Sequence, residues 1–283
     1  MSMLHDMVRR LEQVEALDRL AKPLAGAVGR AVRPRAVRNL LSGTYVGHPL
    51  HPMLTDLPIG AWGMSAVLDT VGGPAAESAA DLLVKVGVAA AVPTAASGLN
   101  DWSDTSGRET RAGLVHAMAM TTALSLYLAS AAARARGSRG GGKALGLAGF
   151  GVLLAGGYLG GHLSFVHGVN VNRTAWQEGP QEWTPVLADA DLADGERRKV
   201  DAAGIPVLLY RSAGRLCALA STCSHLGGPL DEGAVSDGCV TCPWHGSIFR
   251  FADGGIMRGP ASTPQPLYDA QIRDGQIEVR VSP

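Results

Sequence analysis

Two short stretches carry side chains able to bind a metal: TCSHLGGPL, from Thr222 to Leu230, and CPWHGS, from Cys242 to Ser247. The pattern is Cys223-x-His225, sixteen intervening residues, then Cys242-x-x-His245. Each stretch supplies one thiolate and one imidazole, so the donor set is two plus two with unlike softness. A [2Fe-2S] cluster uses that division, with both cysteines on one iron and both histidines on the other. A structural zinc ion is the competing reading, because two Cys and two His also hold zinc. Its usual spacing groups Cys with Cys and His with His, and one intervening residue is tight for two ligands on one tetrahedral ion. The other cysteines, Cys217 and Cys239, fall in strand-like stretches and read as small core residues. Cys239 and Cys242 also form a C-x-x-C, a redox pair only if Cys242 is not a metal ligand.

Loops of this kind must be held by a rigid frame, and the periodicity around them supplies one. From Trp183 to the end of the sequence, PVLLYR, LCALAST, SIFRFA and QIEVRV read as strands, separated by turns at SAGR, ADGG and RDGQ. Residues 183–283 are therefore expected to form an all-β domain, preceded by a polar linker over 171–182. Upstream lie four apolar segments: Met53 to Gly73, Leu82 to Asn100, Ala112 to Ala133 and Ala144 to about Val166. A bilayer core needs about 20 helical residues, which predicts a four-helix transmembrane bundle over 44–170. Met53 to Gly73 is the weakest span, with Asp56 and Asp69 placed one near each interface; a soluble four-helix bundle is the alternative. Gly156 with Gly160, and Gly157 with Gly161, are small-xxx-small pairs suited to close helix packing. Residues 1–43 show an apolar stripe through Leu4, Met7, Val8, Leu11, Val14, Leu17, Leu20 and Leu24, read as one amphipathic helix. That helix either lies on a membrane face or packs on the protein. Arg9-Arg10 lacks the apolar run of an export signal. The overall class is α plus β in two domains.

Lys plus Arg and Asp plus Glu number 25 each, so no net field favours nucleic acid. Four crossings would return the chain to its starting side. His48 and His51 precede the first span, His116 begins the third, and His162 and His167 end the fourth, so all five are expected towards one face. Pro49 and Pro52 are expected to keep His48 and His51 out of regular helix. Neutral imidazoles there could hold haem b or a quinone headgroup, or be purely structural. Lys and Arg near the segment ends number eleven on the N-terminal side and four (Arg134, Arg136, Arg139, Lys143) on the other. The positive-inside rule then places both termini, and the β domain, in the cytoplasm of an inner-membrane protein.

CSHLGGPL with CPWHGSIF resembles the cluster-binding loops of Rieske iron-sulfur proteins, a similarity that runs on through FADGGIMRGPA to the last strand. The resemblance implies that Cys223 and Cys242 hold an inner iron and that His225 and His245 hold an outer, more exposed one, with Gly227, Gly228, Pro243 and Gly246 shaping the loops. Respiratory members carry a disulfide between the loops, but Gly228 and Trp244 occupy those positions here. They also use a serine and a tyrosine to donate hydrogen bonds to the cluster; Ser247 matches the first, whereas Phe249 has no hydroxyl. The chain is thus similar to the ferredoxin-like branch, with an expected potential in the lower or middle part of the range of about −150 to +300 mV. GHPLHPMLTDLPIGAW resembles the H-P-x-H-P-M signature of an uncharacterised bacterial membrane domain, and SGLNDW is similar to another of its stretches.

Three functions follow. The first is a membrane-anchored electron carrier serving an unidentified redox partner. The second is a membrane oxidoreductase coupling the cluster to haem or quinol at the histidine face. The third is a tethered redox sensor. The chain is expected to be a carrier or an oxidoreductase component rather than a stand-alone enzyme; the stretch after His245 is too short for the mononuclear-iron domain of an oxygenase.

Overall fold

The computed structural model describes residues 3–282. The chain divides into two compact units, each drawn from two stretches of sequence. One unit comprises the residues up to Arg33 together with Leu50–Val169, and the other comprises Pro34–Pro49 together with the chain from Asn170 onward.

The first unit is helical. The N-terminal region is not one helix: α1 (Met3–Glu12) ends at a turn, a 3₁₀ turn follows at Glu15–Leu17, and α2 (Asp18–Ala31) starts in a new direction. A third helix of this region, α3 (Arg35–Ser42), belongs to the other unit. The apolar stripe is buried only in part. Val8, Ala21 and Ala25 are buried, the two alanines against Trp102 and Leu114, while Leu4, Met7, Leu20 and Leu24 remain exposed. Alanine wins the inward positions because it lets the backbones approach closely.

Four long helices follow, α4 (Leu50–Val71), α5 (Glu77–Trp102), α6 (Gly107–Ala135) and α7 (Arg139–Phe165). Of these, α5, α6 and α7 are long and apolar enough to cross a membrane, and α4 is not among them. The expected count of four apolar spans is thereby reduced to three, because Asp56, Asp69 and several small polar residues dilute α4. His51 and Pro52 lie inside α4, contrary to the expectation of irregular backbone. Pro52 sits in the first turn, where its missing N–H has no intrahelical partner to lose. Pro58 lies deeper, and the carbonyl of Leu54 that it would leave bare accepts the Thr94 hydroxyl at 3.0 Å.

Antiparallel packing of α4 on α5 shows in the pairs His51 with Thr94, Trp62 with Val84 and Ser65 with Ala80. At the centre the Trp62 ring stacks on Tyr127, with centroids 4.1 Å apart. Glycines make room for these rings: a Cβ at Gly87 would lie 2.2 Å from the Trp62 indole nitrogen. Of the small-xxx-small pairs, Gly156 and Gly160 face Met120 and His116 of α6, whereas Gly157 and Gly161 meet no neighbouring helix. At the far end Arg134 forks onto Asp69 and bonds Asp81 at 2.8 Å, and Arg139 joins both acids. Asp69 is therefore buried within the protein at this end of the bundle; its side chain is 2% exposed.

In the second unit ten strands form two sheets. The larger has the order β1 (Thr184–Ala188), β10 (Gln276–Val281), β9 (Leu267–Arg273), β4 (Arg215–Ala220), β3 (Ile205–Ser212) and β2 (Arg197–Ala202). The smaller runs β5 (Ala234–Ser236), β6 (Cys239–Thr241), β7 (Ile248–Arg250) and β8 (Ile256–Arg258). Every pairing is antiparallel, and the turns at SAGR, ADGG and RDGQ fall between paired strands or beside them. The segment Pro34–Pro49 completes this unit. Asn39 accepts the Gly259 N–H at 2.8 Å, and Thr44 donates to the Ala261 carbonyl at 2.9 Å.

Gly87→Ala should displace the Trp62 indole and lower the stability of the detergent-purified chain by about 1–3 kcal/mol, as overpacking does. Gly60→Ala, with open space around it, should leave the thermal midpoint unchanged; equal midpoints for both variants would contradict this packing.

Candidate metal centre

The first metal-binding stretch joins β4 to β5 and the second joins β6 to β7. They fold alike. The Gly227 N–H bonds the Cys223 carbonyl at 2.9 Å, and the Cys223 N–H bonds the Gly228 carbonyl at 2.8 Å. In the second loop the Gly246 N–H bonds the Cys242 carbonyl at 3.0 Å, and the Cys242 N–H bonds the Ser247 carbonyl at 2.8 Å. Both closures need a left-handed residue at the fourth position after the cysteine, met by Gly227 (φ +83°) and Gly246 (φ +71°). The histidine stands second after the cysteine in one loop and third in the other, yet the two rings meet edge to face with centroids 5.2 Å apart.

Both thiols are buried with Leu208, Leu230, Val240 and Phe249. They hydrogen-bond each other, and the Cys242 sulfur also accepts the backbone N–H groups of Trp244 and His245. The bond from Cys223 foremost, and then the two N–H groups, push its pKa down to about 6, which favours the thiolate. The Cys223 thiol keeps the shared proton and is pushed far up by that bond, although it faces the N–H groups of His225 and Leu226. Burial, with repulsion from His245, Arg38 and Arg173, drops His225 to about 3 and leaves it a neutral imidazole. The donor set thus fits a group that needs two thiolates and two neutral imidazoles, with N–H groups already aimed at sulfur. The loops also leave space at the sulfurs: a Cβ built on Gly228 would sit 2.7 Å from the Cys242 sulfur and 3.1 Å from the Trp244 ring.

The two imidazoles are not equally open. His225 is 8% exposed, contrary to the expectation of an outer, exposed ligand, while His245 is half-buried beside Trp244, 57% exposed. The Arg173 N–H bonds the Ser224 carbonyl at 3.0 Å, and a cavity lined by Ser42, His48, Asn172, Ser224, His225 and Ser262 lies over the buried ring. Ser224 is anchored twice, its N–H to Gln265 at 3.1 Å and its hydroxyl to the Thr263 carbonyl at 2.8 Å. The Ser247 hydroxyl oxygen accepts the Ala261 N–H at 3.0 Å, leaving its own proton to donate. Phe249 is fully buried, and the exposed Pro243 follows Cys242 at the loop tip. Cys217 and Cys239 are half-buried rather than core, and all four cysteines are free thiols.

The five histidines expected on one face do not form one site. His48 belongs to the unit containing the β-sheets and is exposed. His51 and His116 each fix Nδ1 against a neighbouring helix's carbonyl, Thr94 at 2.9 Å and Gly156 at 2.8 Å, and each ring lies over a glycine, Gly98 and Gly160 respectively. His162 and His167 instead turn to Glu12, a residue that no local sequence pattern marks.

Residues 182–269 match the family described as "Rieske [2Fe-2S] domain", and residues 47–173 match the family described as "Predicted membrane protein (DUF2231)". The anthranilate 1,2-dioxygenase ferredoxin subunit of Burkholderia cepacia is 35% identical over 35% of this chain and 93% of its own length. Ferredoxin CarAc of Metapseudomonas resinovorans is 29% identical over 35% of this chain and 94% of its own. A chain of the solved "Complex of reduced oxygenase and oxidized ferredoxin in carbazole 1,9a-dioxygenase" is 29% identical, covering 35% of this chain and 94% of that one, with a TM-score of 0.34. With two thiols and two imidazoles gathered at paired glycine-closed loops, and with a relative matched across nearly its whole length, the chain belongs to the Rieske [2Fe-2S] family through its C-terminal domain, joined to a domain of a predicted membrane-protein family.

Proposed function

We propose that the chain is a membrane-anchored one-electron carrier in which Cys223 and Cys242 hold one iron of a [2Fe-2S] cluster and His225 and His245 hold the other. The observation that carries this is the hydrogen-bonded pair of sulfurs facing four backbone N–H groups, with the His225 and His245 rings edge to face alongside. When bound, the cluster supplies reversible one-electron chemistry. The chain's own residues set its energy and access. N–H groups and the Ser247 hydroxyl withdraw charge from sulfur, the nearby Arg38 and Arg173 favour added negative charge, and buried Phe249 offers no donor. The half-open His245, beside exposed Trp244, forms the side from which electrons leave towards a partner. That partner is a redox protein able to exchange single electrons, in line with relatives named as dioxygenase ferredoxins.

Further, α4 is proposed as a fourth membrane crossing. Pro34–Pro49 and the chain from Asn170 onward pack as one unit, so both lie on one side of a bilayer, and the helices between them must cross an even number of times. Three apolar spans leave α4, with 22 residues and about 33 Å of rise, to make the count even. The excess of Lys and Arg flanking that side supports a cytoplasmic β domain at the inner membrane. A second reading, with a haem or quinone ring held in the helical unit, draws on His51 and His116, whose Nδ1 atoms are fixed in the manner of metal-ligating imidazoles. Visible absorption of the purified chain tests it, since a Soret band absent from extracted cofactor and protein alike excludes haem.

Full-length protein isolated anaerobically should contain two irons and two acid-labile sulfides per chain and give a rhombic EPR signal on reduction, lost in Cys223→Ser; absence of sulfide would defeat the proposal. Gly228→Ala should cut cluster content by more than half, because the added methyl overlaps the Cys242 sulfur. In potentiometric titrations Phe249→Tyr should raise the potential and Ser247→Ala lower it, each by about 40 mV, the one-electron equivalent of a hydrogen bond of about 1 kcal/mol. Alkaline phosphatase fused after the C-terminus should be inactive and fused at Ser138 active; the reverse pattern would invert the assigned orientation.

A further inference from the structure

A second cluster of ligand-type side chains lies in the helical unit, where α1, α6 and α7 meet. Glu12, the last residue of α1, is 3% exposed. One of its carboxylate oxygens faces two imidazole nitrogens at once, His162 Nε2 at 3.0 Å and His167 Nε2 at 2.6 Å. The two histidine side chains are 4% and 16% exposed, and the donor atoms of all three residues lie within 4.8 Å of one another. His167 Nδ1 lies 3.8 Å from Glu109, and the His5 ring stands 5.8 Å from that of His162.

The carboxylate is positioned by a separate arrangement. Arg111 of α6 donates to the Glu12 backbone carbonyl at 2.9 Å while gripping Asp18 of α2 with two hydrogen bonds, at 2.7 and 3.0 Å. The end of α1 is thereby fixed against the bundle, with its last side chain pointed between the two imidazoles. Hydrogen bonds alone would need protons on both ring nitrogens to satisfy one oxygen. With the ring protons released, the same three atoms are donors of the types that hold a divalent cation.

We propose that Glu12, His162 and His167 form a binding site for a first-row divalent cation such as zinc or iron(II). Two imidazoles and one carboxylate suit these ions, whose bonds of about 2.0–2.2 Å set ligand atoms roughly 3–3.5 Å apart, so the His162 pair at 3.0 Å is near that spacing and His167, at 2.6 Å, draws back slightly to admit the ion. Three protein ligands leave coordination positions for water or a small anionic or neutral ligand. The site is independent of the iron-sulfur cluster and stands or falls separately from it.

The test uses full-length protein in detergent with its cluster intact, stripped with EDTA and dialysed against micromolar zinc chloride. One zinc per chain should be retained, beyond the cluster iron, and zinc should raise the thermal midpoint of the wild-type protein, a shift that EDTA reverses. Glu12→Gln and His162→Asn should each weaken zinc binding about 100-fold with the cluster's visible spectrum retained, while His51→Asn should leave it unchanged. Wild-type protein that retains no zinc overturns the proposal, as does undiminished retention by Glu12→Gln. If Glu12→Gln fails to fold, the wild-type stoichiometry and the midpoint shift decide the matter.

Discussion

The metal centre depends on one constraint: each ligand loop is closed by a pair of backbone hydrogen bonds around its cysteine, and the closure demands a residue at positive φ. Gly227 and Gly246 meet that demand at matching positions, so two different ligand spacings produce one converging donor set. Once the loops are closed, their free N–H groups point at sulfur, and the charge state of the thiols follows. Three donors favour the ionised form of Cys242, and repulsion between two buried sulfur charges pushes Cys223 towards keeping its proton. Burial and the neighbouring cations deprotonate His225. The site is thus poised electrostatically by the fold before any metal is considered.

The helical unit uses glycine for a different purpose, as a seat for a ring. Trp62 lies over Gly87, His51 over Gly98 and His116 over Gly160, so aromatic and imidazole rings fill the interhelical spaces that larger aliphatics fill elsewhere. This fits a core rich in Ala and Gly in which Trp62 and Tyr127 are the central aromatics. The far end is held by charge: Arg134, with a side chain 3% exposed, links acids from α4 and α5. A buried cation of this kind is strongly destabilising to leave unpaired, so the four helices are locked in register at that end.

How much of this was legible in sequence follows from the range over which each feature is encoded. The four candidate ligands lie within two stretches of a few residues, so their types and spacing are visible in the sequence. The strand turns are equally local, and Phe249 in place of a hydroxyl donor could be read directly. Periodicity in the N-terminal stripe reports amphipathicity and not which face is buried; here Val8, Ala21 and Ala25 turn inward while Leu20 and Leu24 do not. Pro52 misled because the same residue breaks a helix interior and starts a helix end, and only the position of the first turn decides between them. Glu12 was illegible for a stronger reason: its partners lie 150 and 155 residues away. The burial of His225 was likewise hidden, since the chain that lines the cavity over it comes from both ends of a unit interrupted in sequence by a membrane domain.

That interruption bears on how the protein is made. Helix α3 and the residues to Pro49 leave the ribosome before any of the long helices, but Gly259 and Ala261, which they bond, are synthesised more than two hundred residues later. The early segment must wait, without these partners, while the long helices are made, and can dock only when β8 and the following turn emerge. Truncating the chain at the membrane domain therefore strands Asn39 and Thr44 without partners, and expressing the C-terminal part alone leaves the wall over His225 incomplete.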